Sequence, residues 1–346
     1  MLQSLDDVPK HPLEKGWHKE VENPYLFVDG CVQIWPDTDF SRLHRYGCSA
    51  YLVTSFNPHD SAERALDALA NWWRIANQYP NISIALTAQD IVDAKQAGQT
   101  SLILGTQGAD FLGQDLTRLE MFHRMGLRVM IPAYNARTSL ADGCLEPSNS
   151  GLSRMGKKWV EECNRLGITI DCTHTSERAT MDIFENTQRP VIFTHSNPKA
   201  LFDNPRNITD EQMRKCAETG GVVGLTNWAP LLFKAGATSR PTLQDYVDAL
   251  SYVAELVGPR HVSVGTDMSH GTYPDGDLQR GKKLGGGYAD VVEGNPRSKL
   301  RNVEGFDDYG QILDLVEALK KSGFTEEDVE GILGKNLLRV FEATWQ

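Results

Sequence analysis

Residues 191–195 read Val-Ile-Phe-Thr-His, and residues 101–105 read Ser-Leu-Ile-Leu-Gly. Neither run alternates apolar with polar residues, as a strand with one face in water would. Their continuous apolar character suits strands buried on both faces, as in a parallel sheet. Working outward, short β-like runs occur at 25–35, 49–56, 101–108, 127–134, 168–174, 191–196, 221–228 and 261–267, with an extra run at 82–87. Longer amphipathic stretches between them predict helices over 61–79, 116–125, 152–166, 177–187, 210–219 and 242–257. Thr209-Asp210 and Thr325 read as helix N-cap signals. Strand alternating with helix eight times implies parallel strands with right-handed crossovers, and eight such units can close into a barrel. The competitor, an open doubly wound sheet, usually carries a glycine-rich first turn; here that turn is DGCVQIWPD (29–37). The expectation is an α/β protein with a (β/α)8 TIM-type barrel as a single domain over 25–346. An N-terminal extension (1–24) precedes it, and a long loop at about 270–306 follows the eighth strand.

Composition narrows the function. The 346 residues carry 35 Lys+Arg against 46 Asp+Glu, a net charge of −11, which argues against nucleic-acid or anionic-membrane partners. No stretch approaches 18 consecutive apolar residues, and the polar N-terminus has no signal core, so a cytoplasmic protein is expected. Cysteines 31, 48, 144, 163, 172 and 216 form no C-x-x-C pair and read as free thiols.

In such a barrel the chemistry lies at the carboxyl ends of the strands. Those ends supply Asp29, Cys31 and Gln33, then Gln107, Tyr134 and Asn135, then Asp171 and His174, His195 and Ser196, Asn227 and Trp228, and finally Asp267. Two histidines and an aspartate at equivalent positions suit a metal site or an acid–base site. The plainer reading is that each histidine completes a local hydrogen-bond network.

The chain resembles the membrane (renal) dipeptidase family of metal-dependent peptidases. The resemblance is carried by DCTHTSERAT (171–180), RPVIFTHSNPKAL (189–201), PRNITDEQM (205–213), GGVVGLTNW (220–228), HVSVGTD (261–267) and ILGKNLLRVF (332–341). It implies an amidohydrolase-like, metallo-dependent hydrolase barrel, a homodimer, and in active members a two-zinc site that hydrolyses dipeptides with a free carboxyl terminus. By that resemblance His174 and His195 are ligands of one zinc. Asp267 is the catalytic aspartate that handles the proton of the attacking water, and Arg206 binds the substrate carboxylate. The family's His-x-Asp on the first strand is replaced by Cys31-Val32-Gln33, its metal-bridging glutamate by Gln107, and a substrate-facing histidine by Tyr134.

These replacements have a physical consequence. Two divalent ions at about 3.5 Å and an effective dielectric of about 20 repel by about 19 kcal/mol before compensation. Gln33 and Gln107 remove the carboxylates that would compensate. The expectation is one zinc per chain at most, held by His174 and His195 with Gln107 or Cys31, with an empty metal site as the other reading. Cys31 reads as a nucleophile activated by a histidine, as a ligand, or as a small residue filling space. The expected substrate-binding set is Arg206, Tyr134 and Asn227, and the expected catalytic set Asp267, His195 and Cys31. The expected function is hydrolysis of an amide bond in a small carboxylate-bearing substrate. The alternatives are a reduced barrel that only binds such a ligand, or a lyase or isomerase that reuses the pocket. The stretch Gly276–Lys283 nearly fits a phosphate-binding loop but lacks the strand–loop–helix context, and it reads as surface loop.

Overall fold

The computed structural model describes residues 18–234, 239–271 and 302–345. The strands are β1 (Val28–Ile34), β2 (Ala50–Thr54), β3 (Ile82–Ile84), β4 (Thr100–Thr106), β5 (Leu127–Met130), β6 (Thr169–Ile170), β7 (Ile192–Phe193), β8 (Val222–Leu225), β9 (Val262–Val264) and β10 (Met268–His270). All pair in parallel, in the orders β10-β1-β2-β4-β5-β6 and β7-β8-β9. A parallel bridge between Asp171 and Ile192 joins β6 to β7. The segments β9 and β10 are two halves of one strand, broken at residues 265–267, so the ring closes on itself. This is the expected (β/α)8 barrel. The extra run at 82–87 forms β3, which lies against the start of β4.

Seven helices alternate with these strands through Val257: α1 (Ala62–Gln78), α2 (Ala88–Gln96), α3 (Arg118–Arg124), α4 (Arg154–Leu166), α5 (Glu177–Asn186), α6 (Asp210–Glu218) and α7 (Leu243–Val257). Sequence reading missed α2, a short helix started by a capping box between Thr87 and Asp90. The cap at Thr209 is present and is completed by Gln212, and Thr325 caps Glu326–Glu330. Three further corrections concern boundaries. The fifth and sixth strands are far shorter than 168–174 and 191–196, because the chain turns out of the ladder at Asp171 and at Thr194. The loop expected at about 270–306 begins later, since His270 belongs to β10. It also ends earlier, since Asn302 bridges Trp228 and Glu304 bridges Thr242. The rest of that loop, with Gly276–Lys283, lies outside the described residues. Of the expected N-terminal extension, residues 18–24 are described; His18 is buried, with Nε2 3.0 Å from the Ser269 carbonyl oxygen.

The period of two along each strand divides the core. Tyr51, Val53, Leu102 and Leu104 face the helical layer, whereas Ala50, Leu52, Ile103, Val129, Ile192 and Val222 form a second cluster with Leu337, Val340, Phe341 and Trp345. The C-terminal helix Asn336–Thr344 therefore plugs the barrel at the amino ends of its strands. Trp345 Nε1 donates to Thr169 Oγ1 at 2.9 Å, and Arg339 Nη1 to the Gly220 carbonyl at 2.7 Å. The opposite end is left for chemistry. There the barrel is narrow: a Cβ added at Gly265 would stand 1.8 Å from the Thr194 carbonyl oxygen, and one at Gly224 2.2 Å from it. Only a residue without a side chain lets these strands approach. Gly265→Ala is expected to destabilise the protein by about 3 kcal/mol. Urea denaturation checks this, and a loss below about 1 kcal/mol would show that the barrel wall yields.

Candidate active site

Two buried carboxylates organise the carboxyl ends of the strands. Asp29 accepts from the backbone N–H groups of Thr266 (2.8 Å) and Cys31 (3.1 Å), from Thr266 Oγ1 (2.6 Å) and from the Tyr309 hydroxyl (2.5 Å). Asp171 accepts from the backbone N–H groups of Thr173 (2.9 Å) and Thr194 (3.1 Å) and from Thr194 Oγ1 (2.5 Å). Burial raises the Asp29 carboxyl to about 6 against the pull of these donors, and it raises Asp171 as well. Sequence reading placed both at strand ends but gave neither a role. The available signal was a threonine directly before a candidate functional residue, in Thr194-His195 and Thr266-Asp267.

Around Asp171 the structure gathers His174, His195, Arg206 and Tyr134. His174 and His195 meet through their Nε2 atoms at 3.1 Å, and His195 Nδ1 lies 2.7 Å from Thr194 Oγ1. His174 Nδ1 lies 2.7 Å from Asn135 Oδ1. Arg206 is only 3% exposed; its Nε donates to His174 Nδ1 (3.0 Å), Nη1 to Ser196 Oγ (3.1 Å) and Nη2 to the His195 carbonyl (2.9 Å). It is thus not a surface arginine paired with Asp203 or Asp210. Tyr134 lies over His174 with ring centroids 4.2 Å apart. Desolvation, reinforced by the nearby Arg206 charge, drives both imidazoles well below their usual pKa, so both are neutral. His174, Asp267 and Asn135 adopt left-handed backbone conformations (φ 63°, 55° and 59°), a strain that tends to collect at functional sites.

Asp267 belongs to a second group. Its Oδ1 accepts from Gln33 Nε2 at 3.0 Å and from the Cys31 thiol at 3.6 Å, while Gln107 Nε2 donates to Cys31 Sγ (3.3 Å) and to Thr54 Oγ1 (2.9 Å). Cys31, Gln107 and His195 line one small cavity with Thr54, Asp171 and Thr194. Asn227, expected at the substrate, spends its amide elsewhere: Nδ2 donates to the Phe306 carbonyl (2.6 Å), and Oδ1 accepts from Asn302 (2.8 Å). It holds the returning chain.

A parallel barrel with histidine, aspartate and arginine at its carboxyl rim defines the class, a hydrolase-type (β/α)8 protein. The chain belongs to the membrane dipeptidase family, peptidase family M19, whose model matches residues 33–284 and 292–346. It is 26% identical to dipeptidase aclJ of Aspergillus oryzae, over 89% of this chain and 70% of that protein. It is also 26% identical to dipeptidase 3 of Mus musculus, over 86% of this chain and 55% of that protein. The chain thus spans little more than half to about two thirds of these relatives. An amidohydrolase structure from Pseudomonas aeruginosa superposes with a TM-score of 0.84 at 28% identity, covering 93% of this chain and 97% of that one. No helix among the described residues is long and apolar enough to cross a membrane.

Metal dependence is general in this family, but the donors here do not fit a zinc pair. The histidine nitrogens are close to the roughly 3.4 Å separation of two ligands on one tetrahedral zinc. The remaining positions hold two neutral amides, Gln33 and Gln107, and the Cys31 thiol, whose pKa burial and the Asp267, Asp29 and Asp171 charges push well above its usual value; together they offer one anion at most. Among the described residues no group of three or more His, Cys, Asp or Glu is arranged to hold a metal ion. The Cys31 hydrogen bonds run to Asp267 and Gln107. Native-state alkylation near pH 8 should leave Cys31 unlabelled, because the thiolate is the reacting species. Labelling of Cys31 at the rate of a free, exposed thiol would restore it as a nucleophile.

Proposed function

We propose that this chain is a hydrolase of the dipeptidase family that cleaves an amide bond in a small, dipeptide-like substrate with a free carboxylate. At most one zinc ion per chain accompanies it. The observation that carries this reading is the buried guanidinium of Arg206 beside Tyr134 and the histidine pair. An arginine has five N–H donors, and three are engaged with His174, Ser196 and His195. The two left, one on each Nη, suit the paired oxygens of a carboxylate. A buried cation of this kind is costly without an anionic partner, and the ligand supplies one.

In this reading Asp267 is the proton-handling group. The Gln33 amide and the Cys31 thiol both donate to its Oδ1 and orient the carboxylate. Oriented in this way, it takes a proton from water at the scissile carbonyl and returns it to the leaving amine. His195, neutral and anchored through Thr194 to Asp171, is the second acid–base group, and Tyr134 bounds the substrate beside His174. The three replaced ligand positions favour a second reading, a barrel that binds such a carboxylate without hydrolysing it.

Small amino-acid-like carboxylates should raise the melting temperature of the native protein. Arg206→Ala should abolish that shift, and Arg206→Lys should restore little of it, because lysine lacks the planar fork. Unchanged carboxylate binding by Arg206→Ala would remove the clamp assignment. Ordinary L-L and L-D dipeptides with added zinc should be cleaved weakly or not at all, because the ligands for a two-metal hydroxide are missing. A kcat/KM of about 10⁴ M⁻¹s⁻¹ or more would contradict this expectation.

A further inference from the structure

We infer that His59, backed by Asp110, is a specificity-determining residue at the mouth of the pocket, where its imidazolium takes a second anionic group of the substrate. The favoured class is then a dipeptide whose carboxyl-terminal residue carries an acidic side chain. This rests on the reading of the rim as the substrate site, with Arg206 holding the main-chain carboxylate. His59 Nδ1 lies 2.9 Å from Asp110 Oδ2, and the two side chains are 43% and 40% exposed. The Asp110 hydrogen bond raises the imidazole pKa against the pull of desolvation, and the Asp110 and Asp60 charges act in the same direction. Once protonated, both ring nitrogens are donors. Nδ1–H is committed to Asp110, whereas Nε2 has no hydrogen-bond partner among the described residues. An anionic ligand group therefore meets the Nε2–H end, with the aspartate on the far side of the ring.

The neighbourhood brings this group to the site and holds it there. Tyr134, which lies over His174 at 4.2 Å, meets the His59 ring edge-on at 6.3 Å. A single aromatic ring thus separates His59 from the histidine that Arg206 touches. The turn carrying His59 is well tied: Asn57 Oδ1 accepts from the His59 N–H (3.0 Å), and Asp60 Oδ2 accepts from the Asn57 N–H (3.0 Å). Pro58 packs so closely beyond the end of β4 that a Cβ added at Gly108 would stand 2.8 Å from its Cβ and its carbonyl oxygen. Phe56 and Phe111, both buried, meet edge to face at 5.0 Å and join the His59 turn to the turn that carries Asp110. An exposed ion pair contributes little to stability, so its own strength does not explain this support. A group fixed before the ligand arrives loses less freedom on binding. The net charge of −11 works against a ligand with two carboxylates, and a cation at the mouth offsets that locally. A short acidic side chain spans the breadth of one ring.

The test is calorimetric binding of glycyl-L-glutamate and of glycyl-L-glutamine, which has the same shape and lacks the side-chain charge. Near pH 6 the native protein should bind the glutamate ligand roughly two- to fivefold more tightly. His59→Gln should bring that ratio to one or below, and His59→Lys should keep it above one. The charged groups facing the imidazole are Asp110 and Asp60, the latter paired with Arg64 (3.8 Å). The imidazolium is present below its raised pKa and lost above it. The native ratio should therefore fall toward one between about pH 6 and pH 9, and that of His59→Lys should not. A native ratio of one near pH 6, or a ratio that His59→Gln leaves unchanged, would overturn the inference. Arg206→Ala reports on the clamp separately, because it should weaken both ligands alike. Binding that survives Arg206→Ala with its His59-dependent ratio intact would remove the clamp and keep this inference. No binding of either ligand to the native protein would overturn both.

Discussion

The barrel depends on two buried carboxylates placed where its hydrogen-bond ladder gives out. Between β6 and β7 the pairing dwindles to a bridge, and between β9 and β10 the strand breaks at residues 265–267. At the first gap Asp171 reaches across to Thr194, and at the second Asp29 reaches across to Thr266. Each takes the backbone N–H and the hydroxyl of that threonine together with the N–H two residues ahead of itself. Hydrogen bonds to a charged acceptor contribute about 1.5–3 kcal/mol each. Burying an unpaired carboxylate would cost far more than any one of them contributes. Strand closure and carboxylate satisfaction are therefore one condition, met or lost together.

The same staples aim the functional side chains. Each threonine is followed at once by a functional residue, His195 or Asp267, so fixing the threonine at two atoms fixes where the next side chain leaves the barrel. The left-handed turns at His174 and Asp267 are held open by these contacts, because a side-chain-bearing residue does not adopt that conformation without compensation. The lack of Cβ atoms at Gly224 and Gly265 lets the walls close on the Thr194 carbonyl. The site is thus built on the rigid end of a narrow barrel whose other end is plugged by the C-terminal helix.

Against the family background, the electrostatic trade is plain. A pair of divalent ions needs anionic ligands, and here the ends of β1 and β4 offer two neutral amides and a single thiol. Arg206 brings a buried positive charge to the rim, held by three contacts within it. The neighbouring imidazoles stay neutral, since protonating either would place a second buried cation beside the first.

The sequence by itself determined the barrel, because continuous apolar runs separated by amphipathic stretches have few ways to bury both faces of a sheet. It also determined which positions reach the carboxyl rim: His174, His195, Arg206 and Asp267 all arrive there. That Gln33 and Gln107 are neutral amides was equally legible, since residue type alone decides whether a side chain can be an anion. Only the tertiary structure decided how these groups pair. Asn227 holds the chain return at Phe306, because residues 302–306 come back across the rim, and no local pattern encodes that return. Cys31 lies against Asp267, 236 residues away. Arg206 turns into the barrel rather than toward Asp203 or Asp210. The early ends of β6 and β7 were hidden for the same reason, since a carboxylate that reaches the next strand acts only once the ring has closed; the capping box of α2, Thr87 with Asp90, is local and was legible.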